Sequence, residues 1–166
     1  MSTTPLPFDP IERGAELWAE NDYAEVPRMR AITSLMRVHQ LVITELDELV
    51  KPFGLTFARY EVLVLLSFSR TGSLPMGKIG QRLQVHPTSV TTLVQRLAAA
   101  GLIERKRHPE DGRAVLASLT DEGKRVLAEA TEAVTQAKFA LGAMTEEQCA
   151  ELSAILKNVR LAAGDF

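Results

Sequence analysis

The sequence predicts a mainly α-helical chain with one small β-hairpin, in the order of a winged helix-turn-helix. Three observations carry this. Apolar residues make up 46% of the 166 residues but aromatics only 5%, which favours aliphatic helix packing over a β-sandwich. Two helical patterns, "MGKIGQRLQ" and "PTSVTTLVQRLAAAG", are separated by little more than "VHP". Directly after them, two strand-like runs, "LIERKR" and "AVLASLT", flank the polar, glycine-containing tip "HPEDGR".

Residues Met1 to Pro7 carry no periodic pattern and are expected to be disordered. "DPIE" then reads as a helix start: Asp9 caps, Pro10 suits the first turn and Glu12 completes a capping box. That helix should run to about Asn21 and carries the only tryptophan, Trp18. Pro27 opens a long helix in which Ile32, Leu35, Met36, Leu41, Val42, Leu46 and Leu49 recur at helical spacing. Pro52 and Gly54 end it. Thr56 caps "FARYEVLVLLSFS", apolar nearly all round and therefore buried on most sides. "RTGSLP" is a turn with a few extended residues, followed by the short helix "MGKIGQRLQ". In the next helix Pro87 takes the first position and Gly101 follows the end. After the hairpin, Thr120 caps a helix expected to reach about Ala143, with Asp121 and Glu122 at its positive end. "TEEQ" (Thr145 to Gln148) is a capping box that starts a last helix to about Ala162.

Several function classes are disfavoured. The net charge is −2, so the whole chain is no polycation. A single cysteine, Cys149, excludes an internal disulfide and reads as a packed thiol in a reducing compartment. The start "MSTTPLPFDPIE" lacks the basic head and apolar stretch of a secretory signal. The apolar run around "VLVLLSF" falls well short of the ~18 residues a membrane span needs. A soluble cytoplasmic protein is expected. His39, His86 and His108 lack metal-ligand spacing. No nucleophile–base pair, phosphate loop or paired catalytic carboxylates stand out, so no enzyme, metal or cofactor is expected.

Charge is nevertheless segregated. From Lys78 to Arg125 there are nine cations and five anions, a net of +4, which leaves −6 elsewhere. Such segregation is the footprint of a polyanion-binding face on an acidic body. Within it, Val90, Leu93, Val94 and Leu97 form the packing side of a helix laid out at about 100° per residue. Thr88, Thr92 and Gln95 fall opposite, with Thr91 and Arg96 on the flanks. Thr88, Ser89, Thr91 and Thr92 place four hydroxyls at a helix start, where threonine is a mediocre helix former. Short polar side chains let a helix approach base edges, and hydroxyls with free N–H groups suit phosphates. In the preceding helix, Ile79 and Leu83 are core, and Gly80 lets the two helices cross closely.

In the hairpin, Pro109 and Gly112 shape the tip and Arg113 projects beside it, as a narrow minor groove favours. Asp111 is expected to hold that guanidinium or the turn. Arg105 and Arg107 share one side of their strand and can meet phosphates, while Val115, Ala117 and Leu119 anchor the return strand. A plain surface hairpin with an ion pair is the other reading of the same charges.

These residues resemble the MarR family of bacterial transcription regulators. The match starts with "GLTFARYEVLVLL", runs through "MGKIGQRLQVHPTSVTTLVQRLAAAGLIERKRHPEDGRAVLASLTDEGKRVL" and covers about residues 54 to 127. Its most specific part is "DGRAVLASLTDEG", similar to the family's Asp-x-Arg wing followed by Leu-Thr-x-x-Gly. The resemblance implies a homodimer joined by its terminal helices, with each recognition helix in a major groove and each wing in a minor groove. It also implies that a small aromatic or phenolic ligand binds between the DNA lobe and the dimer helices and weakens DNA binding. By position, Pro87, Thr88, Thr91 and Thr92 approach bases and Arg113 is the wing-tip arginine. His86 departs from the pattern where a serine cap is common, and Gly112 where a second arginine is frequent. The stretch from Asp9 to Pro27 lies outside the family pattern.

The expected organisation is therefore 1–54 for dimerisation, 55–120 for a winged helix-turn-helix that binds DNA, and 121–166 for dimerisation. Leu127, Val134 and Leu141, then Cys149, Leu152, Leu156 and Val159, give the C-terminal helices apolar faces that call for a partner. A two-fold dimer reads half-sites about 34 Å apart on a pseudo-palindromic operator. The expected DNA face is Pro87, Thr88, Ser89, Thr91, Thr92, Gln95, Arg96, Arg105, Arg107 and Arg113, with Asp111 as wing support. Arg59 and Tyr60 begin a buried helix, where polar atoms need partners. They read either as structural hydrogen-bond formers or, with His39, as a pocket for an anionic aromatic effector. The functional expectation is a ligand-responsive repressor. The competing class is a winged-helix module that binds a protein and no DNA.

Overall fold

Five of the helices begin at a capping side chain. In the computed structural model, which describes residues 5–107 and 114–166, Asp9 accepts from the Ile11 and Glu12 amides at 2.8 and 3.4 Å and starts α1 (Pro10–Glu20). The capping box expected there is only half formed. Glu12 pairs with Arg30 at 3.3 Å instead of returning to the Asp9 amide. Thr56 starts α3 (Phe57–Ser67), Thr120 starts α6 (Asp121–Gln136) and Thr145 starts α7 (Glu146–Ala162). At α7 the box is complete: Thr145 Oγ1 accepts from the Gln148 amide at 3.3 Å, and Gln148 Oε1 accepts from the Thr145 amide at 2.9 Å.

The chain forms two compact units, residues 1–44 and 45–166. The first holds α1 and most of the long α2 (Val26–Val50). Trp18 fixes the turn between them. Its Nε1 donates to the Ala24 carbonyl at 2.9 Å, and its ring meets Tyr23 edge-on with centroids 4.9 Å apart. Ile32, Leu35, Met36 and Leu41, predicted as the apolar stripe of α2, are exposed.

The second unit is built around α3. This helix packs against α4 (Met76–Leu83), α5 (Pro87–Ala99), α6 and the sheet. Leu63, Leu66, Ile79, Leu97, Val50, Val62, Val90, Val94 and Val134 are its largest fully buried side chains. The sheet has β1 (Ser73–Pro75), β2 (Ile103–Arg107) and β3 (Val115–Leu119), antiparallel in the order β1-β3-β2. The few extended residues of "RTGSLP" thus become a third strand on the hairpin, with Leu74 paired to Ala117.

The helix from Thr120 is shorter than its sequence suggests. It ends at Gln136, and Lys138, Phe139 and Ala140 follow in the left-handed region with φ of 51°, 52° and 59°. Each such non-glycine residue costs about 1–2 kcal/mol. None of the three is a glycine or proline that would announce a stop. No helix among the described residues is long and apolar enough to cross a membrane.

The start of α6 is tied to the end of α5. Thr120 Oγ1 accepts from the Gly123 amide at 2.9 Å and donates to the Gly101 carbonyl at 2.7 Å. Thr120→Ala removes both bonds. It is expected to cost about 1 kcal/mol and to lower the thermal midpoint by roughly 3 °C, read by circular dichroism.

Candidate nucleic-acid interface

The helix-turn-helix is formed by α4 and α5, and Gly80 sets their approach. A Cβ there would lie 3.2 Å from Val90 Cγ2 and 3.5 Å from the Val85 carbonyl oxygen. Gln84 turns the chain in the left-handed region, with φ of 54°. His86 then caps α5, its Nδ1 accepting from the Thr88 amide at 3.3 Å. At 3.3 Å this cap bond is long.

Val90, Val94 and Leu97 are buried and Leu93 is half-buried, so the packing face is the predicted one. Pro87, Thr88, Ser89, Thr91, Thr92, Gln95 and Arg96 are all exposed. Thr91 Oγ1 donates to the Pro87 carbonyl and Thr92 Oγ1 to the Thr88 carbonyl, each at 3.1 Å. These hydroxyl protons are used inside the helix. What remains outward is oxygen lone pairs and methyl groups, suited to amino donors and thymine methyls in a major groove.

The local charge is sorted by pairing. Lys124 pairs with Asp121 at 2.8 Å, Arg125 with Glu122 at 2.6 Å, and Lys106 with Glu104 at 2.7 Å. Hydrogen bonds from Lys124 and Arg125 hold the Asp121 and Glu122 carboxyls below their ordinary range. Lys78, Arg82, Arg96, Arg105 and Arg107 have no carboxylate partner among the described residues. The positive field is thus concentrated on α4, α5 and β2.

On the wing, Ile103, Arg105 and Arg107 pair with Leu119, Ala117 and Val115. Directly paired residues share a face of the sheet. Ile103 and Ala117 are buried, so the arginines extend the face that packs on the helices, while Glu104 and Lys106 occupy the other. Anchoring residues and arginines are therefore successive positions on one face. His108, Pro109, Asp111, Gly112 and Arg113 lie outside the described residues.

Of the three residues considered for an effector, one lies in the first unit and two in the second. His39 is exposed on α2, in the first unit. In the second, Arg59 Nε donates to Thr56 Oγ1 at 3.3 Å, and the buried Tyr60 donates its hydroxyl to Thr131 Oγ1 at 3.2 Å. Both have the structural bonds that polar groups on a buried helix need. Tyr60 also lines a cavity of about 280 Å³ with Phe57, Glu61, Val64, Leu65, Phe68, Leu83 and Phe139; Arg59 does not. Sequence reasoning missed Glu61. Partial burial raises its carboxyl above the ordinary range. It also missed the C-terminal end, where Asp165 accepts from Gln84 Nε2 at 2.8 Å and from Arg160 Nε at 2.6 Å. The chain end thus reaches the turn of the helix-turn-helix.

The MarR family model matches residues 53–114, which run from the turn after α2 through the helix-turn-helix into the hairpin segment. The structure is similar to Sco5413, a MarR family transcriptional regulator from Streptomyces coelicolor. The two are 53% identical with a TM-score of 0.79, over 86% of this chain and 99% of that one. The chain belongs to the MarR family. That family is one of transcriptional regulators, not enzymes. This MarR chain is also 37% identical over 90 residues to the transcriptional repressor MdtR of Bacillus subtilis, a match spanning 54% of this chain and 57% of that protein. The MarR family regulator Sco3205 of Streptomyces coelicolor, solved in complex with DNA, is 25% identical with a TM-score of 0.74, over 82% of this chain and 88% of that one.

Proposed function

We propose that this chain is a homodimeric, DNA-binding transcriptional repressor of the cytoplasm, released from its operator by a small aromatic effector. The observation that carries the reading is the outward face of α5. It is a row of hydroxyl and amide side chains without acidic residues, beside five cations with no partner among the described residues. In this reading Thr88, Thr91, Thr92 and Gln95 meet base edges from the major groove. Ser89, Arg96, Arg105 and Arg107 meet phosphates, and Arg113, supported by Asp111, enters the minor groove. Residues 55–120 form the DNA-binding part.

Residues 1–54 and 121–166 join the two copies. Ile32, Leu35 and Met36 on α2, and Ile155, Val159 and Leu161 on α7, are exposed in the single chain. Apolar surface of this extent marks an interface. The effector's place is the cavity lined by α3, Leu83 and Phe139. The relatives named as repressors support the sign of the effect.

The test is a gel shift on DNA upstream of the protein's own gene, repeated across salt concentrations. A shifted band whose affinity falls by about 0.9 log units per phosphate contact per log unit of salt is expected. A folded dimer that shifts neither that fragment nor random DNA rejects the reading and favours a winged-helix module for a protein partner.

A further inference from the structure

The chemistry of the effector is written in the lining of the cavity. Four aromatic rings face it, from Phe57, Tyr60, Phe68 and Phe139. The Tyr60 hydroxyl is taken up by Thr131. Glu61 is the one carboxylate in the lining, which holds no lysine, arginine or histidine. It makes no ion pair or hydrogen bond among the described residues, and partial desolvation raises its carboxyl above the usual range. Glu61 is itself exposed to solvent, so its carboxylate stays hydrated until a ligand covers it. Arg59, the cation next to it in sequence, is bonded to Thr56 and lies outside the lining.

We propose that this cavity takes a small hydrophobic cation, an aromatic amine or a quaternary ammonium compound, with Glu61 as its counter-ion and the four rings as its walls. The inference rests on the reading that this cavity is the effector site. A cation gains twice here, from the carboxylate and from the negative faces of the rings. An aromatic acid or phenolate meets repulsion from Glu61 and no cation in the lining. A cavity of about 280 Å³ sits at the lower end of ligand sites, which fits a compound of one or two rings.

The position also gives the ligand something to act on. Leu83 closes α4 and is followed by Gln84, the left-handed residue of the turn that sets α5. Phe139 sits at the centre of the left-handed turn after α6. A ligand that spreads Leu83 from Phe139 therefore moves the support of the recognition helix and the end of a helix proposed to hold the dimer.

The experiment uses the full-length protein and three probes at equal ionic strength: phenyltrimethylammonium, benzyl alcohol and benzoate. Binding is followed by titration calorimetry and by the thermal midpoint, which rises when a ligand binds the folded state. The cation is expected to bind at least about tenfold more tightly than either other probe. Glu61→Gln should weaken the cation about tenfold, the size of a lost charge-assisted contact, and leave benzyl alcohol unchanged. Benzoate or benzyl alcohol binding as well as the cation, or a Gln variant that retains full affinity for it, overturns the cation assignment and leaves the effector reading standing. Failure of all three to bind overturns both. The comparison of probes on the unsubstituted protein decides the matter even if the variant does not fold.

Discussion

Gly123→Ala is expected to destabilise the protein by about 3 kcal/mol, near the upper end for overpacking a tight site, and to lower the thermal midpoint by roughly 10 °C. Gly123 lies in the first turn of α6, buried against the chain leaving α5. A Cβ there would stand 1.9 Å from the Leu102 carbonyl oxygen and 2.9 Å from its carbon. The clash is with backbone, so no side-chain rotation relieves it. Nor is that backbone free to retreat. The Leu102 carbonyl accepts from the Thr120 amide at 3.1 Å, and the neighbouring Gly101 carbonyl accepts from Thr120 Oγ1 at 2.7 Å. Moving either partner breaks the cap that starts α6. Gly14 in α1 is the control, because nothing lies within 4 Å of a Cβ added there. Gly14→Ala should stabilise by about 0.5–1 kcal/mol, the ordinary gain at a helix interior. Thermal unfolding of the two variants should therefore shift in opposite directions; a shared direction would refute the close-packing account of Gly123.

The same glycine shows what the sequence can convey. Its place in the Leu-Thr-x-x-Gly signature is visible, but the reason is not, because Leu102 is 21 residues away in sequence. Features settled within one helical turn are legible: Thr56, Thr120 and Thr145 each cap the helix they were expected to cap. The outward side of α5 is also legible, since helical periodicity fixes exposure once the buried side is known. At Glu12 a distant partner, Arg30, competes for the side chain and leaves a predicted capping box half made. The end of α6 leads into three left-handed non-glycine residues, with no local stop in the sequence. β1 has three residues, too few for a strand's alternation to register. The cavity is illegible for the same reason. Glu61, Leu83 and Phe139 come from three separated segments, and only the fold gives Glu61 apolar surroundings and no partner among the described residues.

The wing supplies the second large effect. Converting both Arg105 and Arg107 to Gln is expected to weaken operator binding roughly a thousandfold at about 0.1 M salt. In a dimer the double variant removes up to four phosphate contacts. At about 0.9 log units per contact, the plot of affinity against salt should become shallower by about 3.6 units. The pairing of β2 with β3 explains why these two residues, and not the lysine between them, carry the effect. Arg105 and Arg107 continue the sheet face of Ile103 and have no carboxylate partner among the described residues. Lys106 stands on the opposite face and is paired with Glu104 at 2.7 Å. Lys106→Gln should accordingly leave both affinity and salt slope nearly unchanged. Fluorescence anisotropy on one labelled operator at several salt concentrations measures both quantities. If Lys106→Gln loosened the complex as much as the arginine pair, the wing would meet DNA with its other face. If neither changed the slope, the wing would not touch phosphate, and the positive field would have to act through Lys78, Arg82 and Arg96 on the helix pair.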